Sequence, residues 1–153
     1  MKENEVNFEE IIEQLADKLE EQRNKCNRII QNLTNRITSD LKDAMQLESE
    51  AISYRQILND EIAIYTYRIY KDVPKLKQMT KARFEYYATK YQIKTNGSEK
   101  GKLIESDLAW QKAKLELYEN HIQFLGESRK SVDHVIWSIK NKIEIHNITG
   151  LDM

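Results

Sequence analysis

The chain has little of what bends, staples or anchors a polypeptide. Its 153 residues include four glycines, one proline and one cysteine. So little glycine and proline excludes collagen-like and Pro/Gly-rich disordered chains and argues against a turn-rich β-sandwich. The single Cys26 has no internal disulfide partner, which fits a reducing compartment. It sits on an apolar helical stripe, where a buried small hydrophobe is expected rather than a reactive thiol. No apolar run nears the ~20 residues that span a bilayer; the cluster from Ile62 to Tyr70 is interrupted by Thr66 and Arg68. Met1 to Phe8 is acidic and polar, unlike a secretory signal or a mitochondrial presequence. A soluble, cytoplasmic protein without membrane contact is expected.

What is present is charge, at 32% of residues against 40% hydrophobic, the balance of bundles and coiled coils that bury little core per residue. The net charge of −1 argues at first against a nucleic-acid partner. Its distribution argues the other way. Residues 1–61 hold eight basic and fourteen acidic side chains, residues 62–102 ten and three, and residues 103–153 six and eight. The middle is a basic island of net +7, whose local field attracts polyanions whatever the average.

Helical periodicity surrounds the island. Asn7-Phe8-Glu9-Glu10 reads as a capping box. From it Phe8, Ile12, Leu15, Leu19, Gln22, Cys26, Ile29 and Leu33 recur at alternating fours and threes, a heptad seam. Ile29, Leu33, Ile37 and Leu41 then follow at successive fours before Ala44, Leu47, Ala51, Tyr54 and Leu58 restore the rhythm. Two explanations stand: a stutter in one continuous rod, or a hinge near Asn35 to Asp40 with Thr38-Ser39-Asp40 capping a second helix. Pro74 predicts a break, one helix ending near Tyr70 to Asp72 and the next starting at Val73 or Pro74 with Asp72 as cap. Thr95-Asn96-Gly97-Ser98 and Gly101 predict a polar loop over 95–102. Ser106 reads as the cap of a last helix. Its seam runs Leu108, Gln111, Leu115, Tyr118, Ile122, Leu125, Arg129, Val132, Ile136, Ile139, Ile143 and His146. A stripe so long and narrow suits packing against another long helix. With few helices in one chain to supply it, partners are expected from other subunits, through Leu115, Ile122, Leu125, Val132, Ile136 and Ile139.

Signs of catalysis are weak. His121, His134 and His146 lie 13 and 12 residues apart, with no Glu-x-x-His of the kind that builds metal sites in bundles. No metal and no cofactor is expected. Gly97-Ser98-Glu99-Lys100-Gly101-Lys102 is one residue short of a phosphate loop and carries Leu103 where a hydroxyl should follow, so it reads as a flexible basic turn. No Gly-x-Ser-x-Gly elbow is present, and the paired glutamates fall on solvated helix faces. A non-enzymatic protein is expected.

The remaining signal is the island, where lysines and Arg83 interleave with Tyr65, Tyr67, Tyr70, Phe84, Tyr86, Tyr87 and Tyr91. On a helix projected from residue 75, Leu76, Thr80, Phe84, Tyr87 and Tyr91 share an arc. Lys77 and Lys81 flank one side; Arg83, Lys90 and Lys94 flank the other. Cations that neutralise phosphates beside rings that stack on unpaired bases are what single-stranded nucleic acid requires. The competing reading is that an apolar arc at helical spacing is core and the basic face merely solvated. Tyr86, off the arc centre, is the ring expected to stay accessible. The candidate nucleic-acid-binding set is Lys77, Lys81, Arg83, Tyr86, Lys90 and Lys94.

Lys81-Ala82-Arg83-Phe84-Glu85-Tyr86-Tyr87 resembles the Lys-Ala-Arg-Leu-Asp-Tyr-Tyr motif of the UvsY family of phage recombination mediators. Tyr54-Arg55-Gln56-Ile57-Leu58-Asn59 is similar to that family's Tyr-x-x-x-Leu-Asn element. A glycine-containing polar loop and a last helix with Ile136-Trp137-Ser138 and Ile145-His146 extend the likeness over about residues 41–149. Residues 8–40 depart from the family pattern as a longer N-terminal segment, and the loop here is less acidic. The resemblance implies a non-enzymatic, ring-forming homo-oligomer in the host cytoplasm during phage infection. It would bind single-stranded DNA, displace the phage single-strand-binding protein and load a RecA-like recombinase. Lys81 and Arg83 would contact DNA and the last helix would drive assembly.

The expected fold is all-α, a coiled-coil or helical-bundle protomer of long helices with heptad seams, assembling into a homo-oligomer. The expected segments are an N-terminal coiled-coil extension over 1–40, a DNA-binding region over 41–102, an oligomerisation helix over 103–149 and a tail over 150–153. The alternative from another class is a structural scaffold or adaptor of phage assembly, with buried tyrosines and solvated lysines. A membrane-surface helix fits less well, because the basic segment lacks a clean apolar face.

Overall fold

The computed structural model describes residues 7–37, 40–91, 93–94 and 96–150. These form four helices, α1 (Phe8–Asn35), α2 (Leu41–Thr89), α3 (Gly97–Asp107) and α4 (Ala109–Thr149). At the start of α1 the Asn7 side chain accepts the Glu10 amide at 3.2 Å, the first half of the expected capping box. Between α1 and α2 the helix breaks, which decides for the hinge over the continuous rod. Asp40 Oδ1 accepts the amides of Lys42 at 2.9 Å and Asp43 at 3.3 Å, satisfying donors that the first turn leaves orphaned. Thr38 and Ser39, the other expected caps, lie outside the described residues.

Three expected boundaries are corrected. Helix α2 runs through Pro74 without ending. An interior proline forfeits a backbone hydrogen bond and costs ~3 kcal/mol, so tertiary packing on both sides of it must offset that cost. Upstream, Tyr65 is buried; downstream, Leu76 packs against Tyr87, Ile104 and Leu108. Asp72 is no cap but pairs with Lys114 at 3.1 Å. The polar loop expected over 95–102 is mostly helix: α3 starts at Gly97, behind an Asn96 cap that accepts the Glu99 amide at 2.8 Å. Glu99 returns a carboxylate oxygen to the Asn96 amide at 3.1 Å, so Asn-Gly-Ser-Glu is a complete capping box and not a turn. Gln92 and Thr95 lie outside the described residues. The last helix does not start behind Ser106. Ser106 belongs to α3, and the chain turns at Leu108, whose carbonyl accepts the amides of Gln111 and Lys112. Burial explains the choice: Leu108 is 1% exposed and Ser106 is exposed. Gly150, at φ +64°, takes the left-handed geometry that ends α4, and its amide bonds to the His146 carbonyl.

The chain packs into two compact units. Of the described residues, the first comprises those up to 18 and those within 65–120, the second those within 19–64 and those from 121 on. In the second unit Leu19, Cys26 and Leu33 of α1, Ala44, Leu47, Ala51 and Leu58 of α2, and Leu125, Val132, Ile136 and Ile139 of α4 are buried. Cys26 is a buried free thiol, as expected. Polar residues tie the same segments. Arg36 pairs with Glu50 through two guanidinium contacts, Arg55 reaches Asp133 at 3.2 Å, and Arg129 donates to Asn59 at 3.0 Å. Arg129 interrupts the apolar seam for that bond. Among the described residues of the first unit the buried ones are Tyr65, Tyr87, Ile104, Leu108, Leu115 and Tyr118, half of them tyrosines.

Candidate nucleic-acid interface

An isolated helix has many equivalent faces, and packing decides which one remains open. In α2 the packed face carries Leu76, Met79 and Tyr87, set against Ile104, Leu108 and Leu103, with Tyr91 just beyond the helix. Tyr87 is 8% exposed, and its hydroxyl donates to Asp107 Oδ2 at 2.6 Å. That bond and burial push the phenol up to about 12. Tyr87 is therefore a core anchor and Tyr91 is half-buried against it, their rings edge to face at 4.9 Å. The expected arc thus divides. Leu76, Tyr87 and Tyr91 belong to the interior, and Phe84 at 50% exposed does not.

Phe84 belongs to another face. Counting back from it by threes and fours gives Lys81, Lys77, Pro74 and Tyr70, and counting forward gives Ala88, all exposed. Tyr70 is 74% exposed and stands fourteen residues before Phe84, about 21 Å along the helix at 1.5 Å per residue. Lys77 and Lys81 lie between the two rings, and neither makes an ion pair among the described residues, although Glu85 is one turn from Lys81. Lys71 places its ammonium 5.0 Å from the centre of the exposed Tyr67 ring. The open face of α2 is thus basic and aromatic.

The second expected rail lies on a different side of α2, and its Arg83 is engaged. Arg83 is two positions from Lys81, about 200° around the helix, and its Nε lies 3.7 Å from Asp107. The guanidinium is 5.9 Å from the centre of the Tyr86 ring. Tyr86 is 39% exposed, as expected, with its edge on Tyr87 at 5.1 Å. Lys90 follows the last residue of α2 and Lys94 lies in the connection to α3; both are exposed, and neither is on the Lys77/Lys81 face.

Tyr70 was missed because a helix assumed to begin at Pro74 cannot extend its projection upstream. The signal was the seven-residue spacing of Tyr70, Lys77 and Phe84.

The residues expected to mediate assembly are placed differently. Leu115, Leu125, Val132, Ile136 and Ile139 are buried and Ile122 half-buried within this single chain. Their partners are internal, because each unit supplies several helical segments to cover α4. On α4 the open apolar residues are Trp137, Ile145 and Ile148, 65%, 60% and 75% exposed. Trp110 is half-buried and stacks on Phe8 at 4.3 Å. Among the described residues no cluster of His, Cys, Asp or Glu could hold a metal ion, and no helix is long and apolar enough to cross a membrane. No protein-family model matches the chain, and no curated protein or solved structure matches it either.

Proposed function

We propose that this chain is a non-enzymatic, single-stranded-DNA-binding recombination mediator of the UvsY kind. Its partners in that reading are a RecA-like phage recombinase, which it loads, and the phage single-strand-binding protein, which it helps displace. The observation that carries the DNA-binding part is the open α2 face, with Lys77 and Lys81 unpaired between the exposed rings of Phe84 and Tyr70. Phosphates engage the ammonium groups while bases stack on the rings, a mode that reads no sequence. The Lys-Ala-Arg motif divides its labour: Lys81 faces DNA, and Arg83 braces the end of α3 through Asp107. Loading and displacement rest on the resemblance of residues 81–87 and 54–59. Self-association into a coiled-coil-like homo-oligomer, ring-shaped in this reading, draws on the exposed Trp137, Ile145 and Ile148 stripe of α4. The working compartment is the host cytoplasm.

Burial of Tyr87 and Tyr91 favours a second reading, a phage-assembly scaffold whose lysines are only solvated. Fluorescence anisotropy with labelled oligo-dT separates the two. The mediator binds tightly and with steep salt dependence. Lys77→Ala/Lys81→Ala flattens the slope of log K against log salt by about 1.4, two phosphate contacts at ~0.7 each on a single strand. Phe84→Ala weakens binding at every salt concentration, by ~1–3 kcal/mol for one lost stacked base. Weak binding by the wild type, or a wild-type slope in the lysine double variant, would leave the scaffold reading standing.

A further inference from the structure

Within the first unit, α1 and the start of α4 enclose an open groove of about 840 Å³, with Met79, Arg83 and the α3–α4 junction at one end. Its floor is apolar and low. Ile12, Ala16, Ala113 and Leu117 are half-buried there and line the open groove, and Phe8 stacked on Trp110 forms a flat aromatic stop. Ala16 on one helix and Ala109 and Ala113 on the other bring the floor close to backbone level, leaving room for a helix to approach. The borders are acidic on both sides. Glu9 and Glu13, one turn apart on α1, and Glu116 on α4 are exposed and form no ion pair among the described residues. Among the described residues the one cation in the lining, Arg83, already has Asp107.

We infer that this groove receives an amphipathic helix of another protein, with a narrow apolar stripe bordered by lysine or arginine. Each property of the site selects against the other occupants. Uncompensated carboxylates repel nucleic acid and anionic membrane. The groove walls are helices whose backbone groups are already bonded along their own length, so an extended peptide finds no edge to pair with; a helix brings its own hydrogen bonds and needs only an apolar floor. Three turns of α4, Ala109 to Asn120, set the length of the occupant at about eleven residues. The cationic borders of such a helix supply the missing counter-charges for Glu9, Glu13 and Glu116, which favours this partner over a neutral one and speeds encounter. This assigns a role to the start of α1, which the DNA-binding face does not use.

The test uses the full-length protein and a fluorescein-labelled peptide of about fourteen residues, leucines at helical spacing and lysines elsewhere, followed by anisotropy. Saturable one-to-one binding is expected, with none for the same peptide carrying glutamate in place of lysine. Ala113→Trp fills the floor and Glu9→Gln/Glu13→Gln removes one border; each should weaken binding by about tenfold or more, with helicity unchanged by circular dichroism. The Gln double variant sits on exposed positions, so it decides the matter even where Ala113→Trp perturbs folding. Oligo-dT affinity stays at the wild-type value in both variants, which separates this site from the α2 face. Absent binding by the wild type, or undiminished binding by the Gln double variant, overturns the inference. So does a fall in sedimenting mass of the protein alone on Ala113→Trp, since the groove would then hold a second copy.

Discussion

The two units draw on the same three long helices, α1, α2 and α4, with α3 in the first alone, and are filled with different chemistry. The second buries aliphatic and small residues along α1, α2 and α4, with Arg55, Arg129 and Arg36 bonded across its surface. The first buries fewer aliphatics and relies on Tyr65, Tyr87 and Tyr118, the middle one fastened by its hydroxyl to Asp107. Aliphatic side chains interlock in the second unit's core, although Trp137, Ile145 and Ile148 stay open on α4. Tyrosines fill volume while holding one polar end near water, so a tyrosine-built unit can display charge and rings on its outer faces. The lesson is a division of labour. In the proposed reading the aliphatic unit supplies stability and the aromatic unit carries the DNA-binding face.

The sharpest way to break that comparison is a charge in the aliphatic unit. Leu125→Asp is expected to abolish the cooperative thermal transition seen by circular dichroism, because Leu125 is 1% exposed and an unpaired carboxylate cannot be buried there. Leu125→Ala should cost ~2–5 kcal/mol in urea denaturation. An exposed subunit contact at Leu125 would instead lower the sedimenting mass and leave the protomer folded.

Acid titration acts on the same unit. His121 is fully buried, and burial, with a smaller contribution from the Arg23 charge, lowers its imidazole from 6.5 to about 4. Between those values the unfolded chain binds a proton that the folded chain does not, so this contribution to stability is complete above pH 6.5, declines as pH falls through the window and is lost below about 4. The full effect is about 3 kcal/mol. Chemical denaturation at a series of pH values should show a slope over this window that His121→Leu removes; an unchanged slope in the variant would assign it to other groups.

A smaller effect is expected in the aromatic unit. Tyr87→Phe keeps the ring and removes the bond to Asp107. The thermal midpoint should fall by less than for Leu125→Ala, and spectrophotometric titration should lose the tyrosine that ionises near 12. Oligo-dT binding should be unaffected, because Tyr87 lies on the packed face of α2. A loss of DNA affinity in Tyr87→Phe without a loss of stability would place the Tyr87 hydroxyl in the DNA contact.

Legibility in the sequence followed the range of the forces involved. The α1 start, the break before Asp40 and the apolar residues of the second unit were readable because capping and three–four spacing are local. Pro74 was misread because the cost of an interior proline is local while the packing that offsets it comes from α3 and α4. Asn96-Gly97-Ser98-Glu99 carries both a turn signature and a capping box, and the reciprocal bonds to Glu99 decided between them. Within the candidate site, Lys77, Lys81 and Tyr86 were legible as basic and aromatic positions; the pairing of Arg83 with Asp107 was not, since twenty-four residues separate them.

The sequence by itself determined an all-helical chain, a basic island between acidic flanks, and part of the apolar set buried along α1 and α4, while Phe8 on the α1 seam stays 41% exposed and Val135, off the α4 seam, is buried. Angular order around α2 was also implicit in it, since the helical repeat fixes Phe84 some 60° from Tyr87. Only the tertiary structure decided which of those two rings faces the interior. Both are large and apolar, and the choice belongs to Ile104, Leu108 and Asp107, which meet Tyr87 and leave Phe84 and Lys81 to solvent.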